Sequence, residues 1–283
     1  MKTPITLFQL QTLFFDKLSQ IYEQREISAL FFTLCSEVLG IPKHRVLIDK
    51  NLEIPFEKQL LFLQKLERLI SGEPIQYILG YANFRNYRFC VNRSVLIPRP
   101  ETEELVTHIL SEKITEPSIL DIGTGTGCIA IVLAIEYPNA KVTAVDISPE
   151  AIETARINAN QYSVPVQFEV CDIFTRNFHK NQFQIIVSNP PYVAESEKEF
   201  MHNNVLGFEP HSALFVPDSN SLVFYERISE IAAYCLSVNG VVWVEINHQF
   251  ATETSLVFKK NFQNVQIIPD IFSKNRFIRA SNH

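Results

Sequence analysis

Strand-like and helix-like segments alternate along the chain from Pro98 onward. Five apolar segments have strand character: Ser118–Asp121, Lys141–Asp146, Val166–Asp172, Gln184–Ser188 and Val241–Glu245. Helical patterns lie between and after them, at 127–136, 149–162, 220–238 and 249–260. Because parallel strands are joined by right-handed helical crossovers, this order predicts an α/β fold whose mostly parallel sheet is covered by helices on both faces. Two final strands, at 264–269 and 275–280, are expected to close the sheet as an antiparallel pair.

Residues 1–72 carry helical periodicity instead. Apolar side chains recur every three or four positions in three segments, which begin near Leu7, Ile27 and Pro55. The second segment ends at Gly40 and the third at Gly72, and a proline follows each glycine two residues later. We predict a small helical bundle over 1–72. Periodicity alone leaves open whether this bundle is a cap without chemistry or a substrate-docking domain.

Residues 73–98 differ from the segments on either side. Strand-like runs at Tyr77–Gly80, Tyr87–Phe89 and Val95–Ile97, with Phe84 between the first two, are separated by turns. The pattern predicts a β-hairpin linker over 73–98. The α/β domain is then expected to occupy 99–283.

The charge balance argues against a long nucleic-acid footprint. The chain has 25 Lys and Arg against 31 Asp and Glu, a net charge of −6, whereas phosphate binding relies on a basic surface. The five cysteines are scattered and form no C-x-x-C pair or His/Cys cluster, so we expect reduced thiols and no metal site. No signal-peptide pattern and no bilayer-length apolar run is evident. We therefore expect a cytoplasmic protein that does not contact a membrane.

A glycine-rich loop follows the first strand of the alternating region. It comprises Gly123, Thr124, Gly125, Thr126 and Gly127, after Asp121 and before a helical segment. Glycines there permit a tight turn and close approach of the backbone to a ligand. The spacing is G-x-G-x-G and not G-x-G-x-x-G, which disfavours a dinucleotide pyrophosphate site. A glycine turn without a ligand stays an alternative at this point.

Acidic residues end the next two strands. Asp146 lies nineteen residues after Gly127, where a carboxylate is suited to accept hydrogen bonds from both hydroxyls of an adenosine ribose. This supports a nucleoside cofactor without choosing between NAD and S-adenosylmethionine. Asp146 is equally placed to act at the start of the helix that follows. Asp172, with Ile173 and Phe174, ends the third strand, where an adenine ring would be flanked.

A proline-rich turn follows the fourth strand. Asn189, Pro190, Pro191 and Tyr192 come directly after the apolar run Ile185–Ser188, at the strand end where open α/β sheets bind ligands. Two prolines remove two backbone donors, which leaves the Asn189 side-chain oxygen and the Pro190 carbonyl as acceptors. A planar NH2 group has two donors that match two such acceptors, and the Tyr192 ring is suited to lie against a flat group. The alternative is a turn without function.

Five stretches of the chain form a specific combination: Gln76–Gly80, Leu96–Glu103, Asp121–Gly127, Asn189–Tyr192 and Phe208–Pro210. With them, nearly the whole chain resembles the release-factor glutamine methyltransferase family (PrmC/HemK). The resemblance implies a class I methyltransferase domain with a Rossmann-like, mostly parallel seven-stranded sheet, preceded by a helical domain and a hairpin. Two local departures are the Pro217–Leu222 segment, where the family often has a Gly-x-Asp-Gly-Leu turn, and Ile173, where an aromatic residue is sometimes found.

The resemblance also implies a reaction. S-adenosyl-L-methionine would donate a methyl group to the side-chain amide nitrogen of the glutamine in the Gly-Gly-Gln motif of peptide chain release factors, leaving S-adenosyl-L-homocysteine. The Gly123–Gly127 loop, Asp146, Ile173 and Asn189 would contact the cofactor, and Asp172 is added from its position. Asn189–Tyr192 would hold the glutamine, with Asn189, Pro190 and Tyr192 as catalytic residues. We expect a monomer.

No side chain is nominated as an obligate base. His202, His211 and His248 qualify by residue type only, and Glu101, Glu209 and Glu245 are assigned to the pocket by the resemblance alone. Two other functions compete with glutamine methylation. An adenine-specific DNA methyltransferase would use the same acceptor geometry, but it usually needs a basic recognition region, which 1–72 lacks. A catalytically silent scaffold would not need both loops.

Overall fold

The computed structural model describes residues 5–282; the ends of the predicted ranges, at 1–4 and 283, lie outside these residues. Two compact units are present. The first comprises the chain up to Gly80 together with His202–Phe208, and the second comprises Tyr81–Met201 and the chain from Glu209 onward. None of the helices in the described part of the chain has the length and apolar character required to cross a membrane.

The first unit is a helical bundle. Its helices are α1 (Leu7–Leu18), α2 (Gln24–Leu34), α3 (Lys43–Ile48), α4 (Phe56–Ile70) and α5 (Ile75–Leu79), and α9 (Asn203–Phe208) joins it from later in the chain. Two-residue strands β1 (Ile5–Thr6) and β2 (Glu53–Ile54) pair antiparallel. The apolar stripes bury Phe14, Phe31 and Phe62 against one another, with ring centroids 5.3–5.9 Å apart. The three predicted helices are thus confirmed.

The prediction for residues 73–98 is correct in part. Strands β3 (Tyr81–Phe84) and β4 (Tyr87–Cys90) pair antiparallel, as predicted. The strand predicted at Tyr77–Gly80 is wrong, because this segment lies mainly in helix α5, which begins after Pro74 and ends at Gly80 with φ of 82°. Burial of Tyr77 and Ile78 outweighs the strand preference of these residue types.

The strand predicted at Val95–Ile97 is also wrong. The side chains of Val95 and Ile97 are buried, but the segment is a loop. The Ile97 N–H donates to Glu209 Oε2 at 3.3 Å instead of joining a strand ladder.

The second unit contains a seven-stranded sheet. Its strands are β5 (Ser118–Ile122), β6 (Lys141–Asp146), β7 (Val166–Val170), β8 (Phe183–Ser188), β11 (Leu236–Glu245), β12 (Asn264–Pro269) and β13 (Asn275–Ser281). Their spatial order is β12-β13-β11-β8-β5-β6-β7, in which β13 pairs antiparallel with both β11 and β12 and the other pairs are parallel. A short parallel pair, β9 (Val193–Ala194) with β10 (Phe215–Val216), lies outside the sheet. The predicted α/β class and the antiparallel closing pair are confirmed.

Helices cover both faces of the sheet. They are α6 (Pro100–Ser111), α7 (Cys128–Glu136), α8 (Pro149–Tyr162), α10 (Val223–Cys235) and α11 (Ala251–Lys259). Alternate residues of β5 point to opposite faces, so Ile119 packs with α6, α7 and α8 whereas Leu120 packs with α10 and α11. Helix α6 begins within the Leu96–Glu103 stretch and was not among the predicted helices.

Candidate functional site

A cavity of about 380 Å³ opens beside β5 at the carboxyl ends of the parallel strands. Strand β5 lies between β6 and β8, so the chain order reverses there, and open α/β sheets bind ligands at such a switch point. One side of the cavity, the glycine-loop wall, is lined by Gly123, Gly125, Asp146, Asp172 and Ile173. A second group of lining residues, the Asn189 wall, comprises Ser188, Asn189, Pro190 and Pro191, at the end of the neighbouring strand β8.

The glycine-loop wall depends on left-handed backbone conformations. Gly123, Gly125 and Gly127 have φ values of 73°, 54° and 79°. A Cβ added to Gly123 or Gly125 would meet no heavy atom within 4 Å, so both positions leave open space. At Gly127 it would lie 2.9 Å from Ile131 Cδ1 and 3.0 Å from Ala155 Cβ, so the absence of a side chain permits α7 and α8 to pack closely.

Not every predicted loop residue faces the cavity. Thr124 and Thr126 are buried and, like Gly127, do not line it. The Thr124 hydroxyl donates to Asp121 Oδ2 at 2.6 Å, and Thr126 Oγ1 accepts the Cys128 N–H at 3.3 Å. These contacts shape the loop, and direct cofactor contacts by these three residues remain a prediction.

Asp146 connects two backbone segments at the cavity. Its Oδ2 accepts the Gly125 N–H at 2.8 Å and its Oδ1 accepts the Ser148 N–H at 3.0 Å. Burial raises the pKa of Asp146, although the hydrogen bonds from the backbone oppose this shift. The carboxylate therefore connects the glycine loop to the N-terminus of α8. It also lines the cavity.

The third strand contributes an apolar surface. Ile173 is buried and Phe174 is exposed, and the Phe174 ring packs edge-on against Phe224 with centroids 5.4 Å apart. Asp172 Oδ1 accepts the Phe174 N–H at 2.9 Å, which ties the loop together. Phe174 supplies an aromatic ring one residue after Ile173, and Phe224 also lines the cavity.

A fully buried carboxyl lies behind the glycine loop. Asp121 has no exposed surface, and its Oδ1 has no hydrogen-bond partner in the described structure. Burial raises the pKa of Asp121 to about 7, despite the hydrogen bond from Thr124.

The Asn189 wall is supported by side chains that are distant in the sequence. Asn189 Nδ2 donates to Thr102 Oγ1 at 3.1 Å, and the Thr102 hydroxyl donates to Glu245 Oε2 at 2.7 Å. Thr102 comes from α6, and Glu245 is the last residue of β11. Burial raises the pKa of Glu245 to about 7, although Thr102, Arg276 and the Tyr192 hydroxyl lower it.

Tyr192 follows the Asn189 wall in sequence but is not among the residues that line the cavity. Its hydroxyl donates to Glu245 Oε1 at 3.2 Å, and burial raises its pKa. This placement gives Tyr192 a supporting position. The contact expected between its ring and a flat acceptor remains a prediction.

Two further segments were missed as parts of the cavity. Ser94, Val95 and Leu96 line it from the loop before α6, and Ser212, Ala213, Phe215 and Pro217 line it from the loop after α9. Buried Glu209 joins these segments, because it accepts the Ile97 N–H and forms a 2.6 Å ion pair with Arg99. The clustered Leu96–Glu103 motif was the available signal. No histidine is among the lining residues in the described part of the protein.

The cavity fits a nucleoside cofactor with an apolar base. The open space at Gly123 and Gly125 would take a group against the backbone, Asp146 offers a carboxylate, and Ile173 with Phe174 offers a surface for a flat ring. This is the arrangement expected for S-adenosylmethionine. The same cavity reaches Asn189 and Pro190, so a donor and an acceptor group would meet in one space.

Comparison with solved structures supports the fold. The structure of T. thermophilus 16S rRNA N2 G1207 methyltransferase, in complex with AdoMet and guanosine, is 15% identical, with a TM-score of 0.52 over 72% of this chain and 50% of that one. A methyltransferase from Pyrococcus furiosus is 18% identical, with a TM-score of 0.51 over 80% of this chain and 98% of that one. At these identities the likeness concerns the fold alone.

Sequence comparison identifies the family. Models described as "PrmC N-terminal domain" and "Methyltransferase small domain" match residues 9–80 and 100–207. A release factor glutamine methyltransferase of Flavobacterium psychrophilum is 41% identical over 96% of this chain and 97% of its own length. One from Bacteroides thetaiotaomicron is 42% identical over 94% of this chain and 96% of its own. The chain therefore belongs to the release factor glutamine methyltransferase family.

Proposed function

We propose that this protein transfers the methyl group of S-adenosyl-L-methionine to the side-chain amide nitrogen of the glutamine in the Gly-Gly-Gln motif of peptide chain release factors. The product of the cofactor is S-adenosyl-L-homocysteine. The observation that carries the proposal is the shared cavity, which is lined both by residues of the glycine-loop wall and by Asn189 and Pro190. A methyl donor and a planar amide require such proximity.

The glycine-loop wall holds the cofactor in this proposal. Asp146 accepts hydrogen bonds from the ribose hydroxyls, while Gly123 and Gly125 let the backbone approach the methionine portion. Ile173, Phe174 and Asp172 flank the adenine. When bound, the cofactor supplies a methyl group that is already electrophilic because it is attached to a sulfonium.

The Asn189 wall positions the acceptor. Asn189 Oδ1 and the Pro190 carbonyl accept the two N–H bonds of the glutamine amide, which aims its nitrogen at the donor. The amide nitrogen is a poor nucleophile because its lone pair is shared with the carbonyl. Orientation in a preformed site supplies up to about 7–11 kcal/mol in favourable systems.

The same acceptors stabilise developing charge. The nitrogen becomes more cationic as it gains a methyl group, so oxygen dipoles on its N–H bonds bind it more strongly in the transition state than in the ground state. No side chain is assigned as a base. The amide proton is free to leave to solvent once the nitrogen has become cationic.

The remaining parts of the proposal concern the partner and its location. The helical domain at 1–72 docks the release factor, the hairpin at 73–98 links it to the methyltransferase domain at 99–283, and the protein works as a cytoplasmic monomer. A second candidate, an adenine-specific DNA methyltransferase, has the net charge of −6 against it.

One experiment ranks these substrates. The protein is incubated with methyl-labelled S-adenosylmethionine and, separately, with a release factor, a ribosomal protein or duplex DNA. Mass spectrometry is expected to locate the label on the Gly-Gly-Gln glutamine, and a release factor carrying alanine in place of that glutamine is the matched control. Label on DNA with none on the release factor would reverse the assignment.

A further inference from the structure

Three side chains, of which Thr102 and Glu245 are buried, form a hydrogen-bonded chain that ends at the cavity. Asn189 Nδ2 donates to Thr102 Oγ1 at 3.1 Å, and Thr102 Oγ1 donates to Glu245 Oε2 at 2.7 Å. Thr102 and Glu245 are 3% and 1% exposed, so no bulk water competes for these bonds. The three residues lie on separate elements, which suits a function that depends on their assembly in the fold.

The donors and acceptors in this chain of hydrogen bonds have a fixed order, because the Thr102 hydroxyl has only one hydrogen atom to donate. When the Thr102 hydrogen points to the Glu245 carboxylate, only lone pairs of Thr102 Oγ1 face Asn189. Asn189 must then turn its NH2 group toward Thr102. Its carbonyl oxygen Oδ1 is left for the cavity, because the opposite orientation would place two acceptors against each other.

We propose that Thr102 and Glu245 are positioning residues, which act through Asn189 by fixing its side-chain oxygen, and not its NH2 group, toward the acceptor amide. This inference rests on the proposed function, since an acceptor with two N–H donors needs an oxygen at that point. Neither residue touches the substrate in this scheme. Their effect is to select one of two orientations of the Asn189 amide.

The Glu245 carboxylate is held from several sides. The second carboxylate oxygen, Oε1, accepts a hydrogen bond from the Tyr192 hydroxyl at 3.2 Å. The backbone carbonyl of Glu245 accepts one from the Tyr225 hydroxyl, also at 3.2 Å. Arg276 on β13 favours the charged form of the carboxylate and Glu101 on α6 disfavours it. Arg276 is itself paired with Asp270 at 3.3 Å.

Protonation of Glu245 removes the fixed order of donors and acceptors in these hydrogen bonds. A neutral carboxyl can donate to Thr102, which then can donate its own hydrogen to Asn189 Oδ1 and turn the NH2 group toward the cavity. Because burial raises the pKa of Glu245 to about 7, this change falls within an accessible pH range. Turnover should therefore rise as the pH increases through about 7.

The first test replaces the Thr102 hydroxyl. Thr102→Val keeps the side-chain shape but removes both hydrogen-bonding functions, and Thr102→Ser keeps them. We expect kcat for release-factor methylation to fall about 10- to 100-fold in Thr102→Val, with little change in cofactor affinity, and to recover largely in Thr102→Ser. A wild-type kcat in Thr102→Val, or a loss that Thr102→Ser does not reverse, would overturn the assignment.

The second test compares pH profiles and does not depend on the valine variant folding. At saturating cofactor and release factor, wild-type kcat is expected to increase through about pH 7. Glu245→Gln has no titrating carboxyl and two amide orientations, so its kcat should be several-fold lower and its dependence on pH flat between 6 and 8. A Glu245→Gln enzyme that keeps the wild-type pH profile would contradict the inference.

Failure of the positioning role and failure of the proposed function give different results. If the wild-type protein does not label the release factor, the proposed function fails. If it does, and the three variants behave as wild type, the methylation stands and the role of Thr102 and Glu245 fails. Far-ultraviolet circular dichroism and Trp243 fluorescence establish that each variant is folded.

Discussion

The two walls of the cavity are built in different ways. In the glycine-loop wall, the shape comes from backbone conformation and from Asp146, which accepts N–H groups of adjacent strand-to-helix turns. In the Asn189 wall, Asn189 is held by Thr102, which lies 87 positions away in sequence, and Thr102 is held in turn by Glu245, 143 positions from Thr102. One wall is thus a local backbone structure and the other is a tertiary assembly of side chains.

This difference predicts how each wall responds to mutation. Truncating a side chain in the glycine-loop wall should weaken ligand binding, because the wall is a surface for the cofactor. Truncating one in the Asn189 wall should slow turnover, because that wall orients the reacting amide. A glycine-loop variant that slows turnover without weakening cofactor binding, or an Asn189-wall variant that does the reverse, would show that the two walls do not have separate roles.

The largest effect is expected for Asn189→Ala, which removes an acceptor from the reacting group. Loss of one preorganised hydrogen-bonding group costs about 10²- to 10³-fold in kcat in comparable sites. Single-turnover methylation of a release factor should fall by this factor, whereas calorimetric cofactor affinity should be mostly retained. Near-normal turnover in this variant would contradict the role of the Asn189 wall.

Asp146→Ala should act on the other wall with the next largest effect. It removes the acceptor for the Gly125 and Ser148 N–H groups as well as the carboxylate at the cavity. We expect the Kd of S-adenosylmethionine to rise about 10- to 100-fold, or about 1.4–2.7 kcal/mol, with Asp146→Asn in between. Once cofactor is saturating, kcat should lie within a few-fold of wild type. A large loss of kcat at unchanged Kd would show that the glycine-loop wall also acts in turnover, so the two walls would not have separate roles.

The same division explains what the sequence predicted. The glycine loop, Asp146 and the Asn-Pro-Pro-Tyr turn each follow a strand, and the carboxyl ends of parallel strands meet at one edge of the sheet. Residues of all three, although not Tyr192, line one cavity, as these local patterns and the α/β alternation predict. The sheet itself, with its antiparallel closing pair, was predictable for the same reason.

Tertiary packing explains what the sequence did not predict. Thr102 reaches Glu245 across 143 residues, and no spacing rule connects a helix residue to a strand end at that distance. Segment Ile75–Leu79 has strand-forming side chains but is helical, because its burial and flanking Pro74 and Gly80 decide its conformation. Tyr192 belongs to a recognisable motif, yet its hydrogen bond with Glu245 depends on where β11 ends.

A smaller effect separates glycines that shape the fold from those that face the cavity. Gly127→Ala combines a φ of 79° with contacts near 3 Å to Ile131 and Ala155, so it should lower the free energy of unfolding by about 2 kcal/mol. Gly123→Ala has a similar φ but open space, and is expected to cost less stability while weakening cofactor binding. Urea denaturation followed by Trp243 fluorescence, with cofactor titration, measures both; equal losses of stability would remove the distinction.

The smallest effect concerns a feature that the two walls share, a fully buried carboxyl behind each. Burial raises the pKa of Asp121 from 3.8 and that of Glu245 from 4.5, in both cases to about 7. The folded protein therefore keeps protons that the unfolded chain releases. The stability that these groups contribute is complete below their ordinary pKa values and is lost as the pH rises through about 7.

Between the ordinary pKa values and about pH 7, unfolding releases about one proton from each group. Each rise of one pH unit in this range should therefore lower the free energy of unfolding by about 1 kcal/mol per group. Urea titrations at pH 5.5 and 6.5 should show this slope in the wild type, and Asp121→Asn or Glu245→Gln should each remove one group's share. Only Glu245→Gln should also flatten the pH profile of turnover, since Asp121 has no hydrogen-bonded path to Asn189 among the described contacts. If Asp121→Asn flattened turnover as well, the glycine-loop wall would take part in orienting the acceptor, and the contrast between a binding wall and a reacting wall would fail.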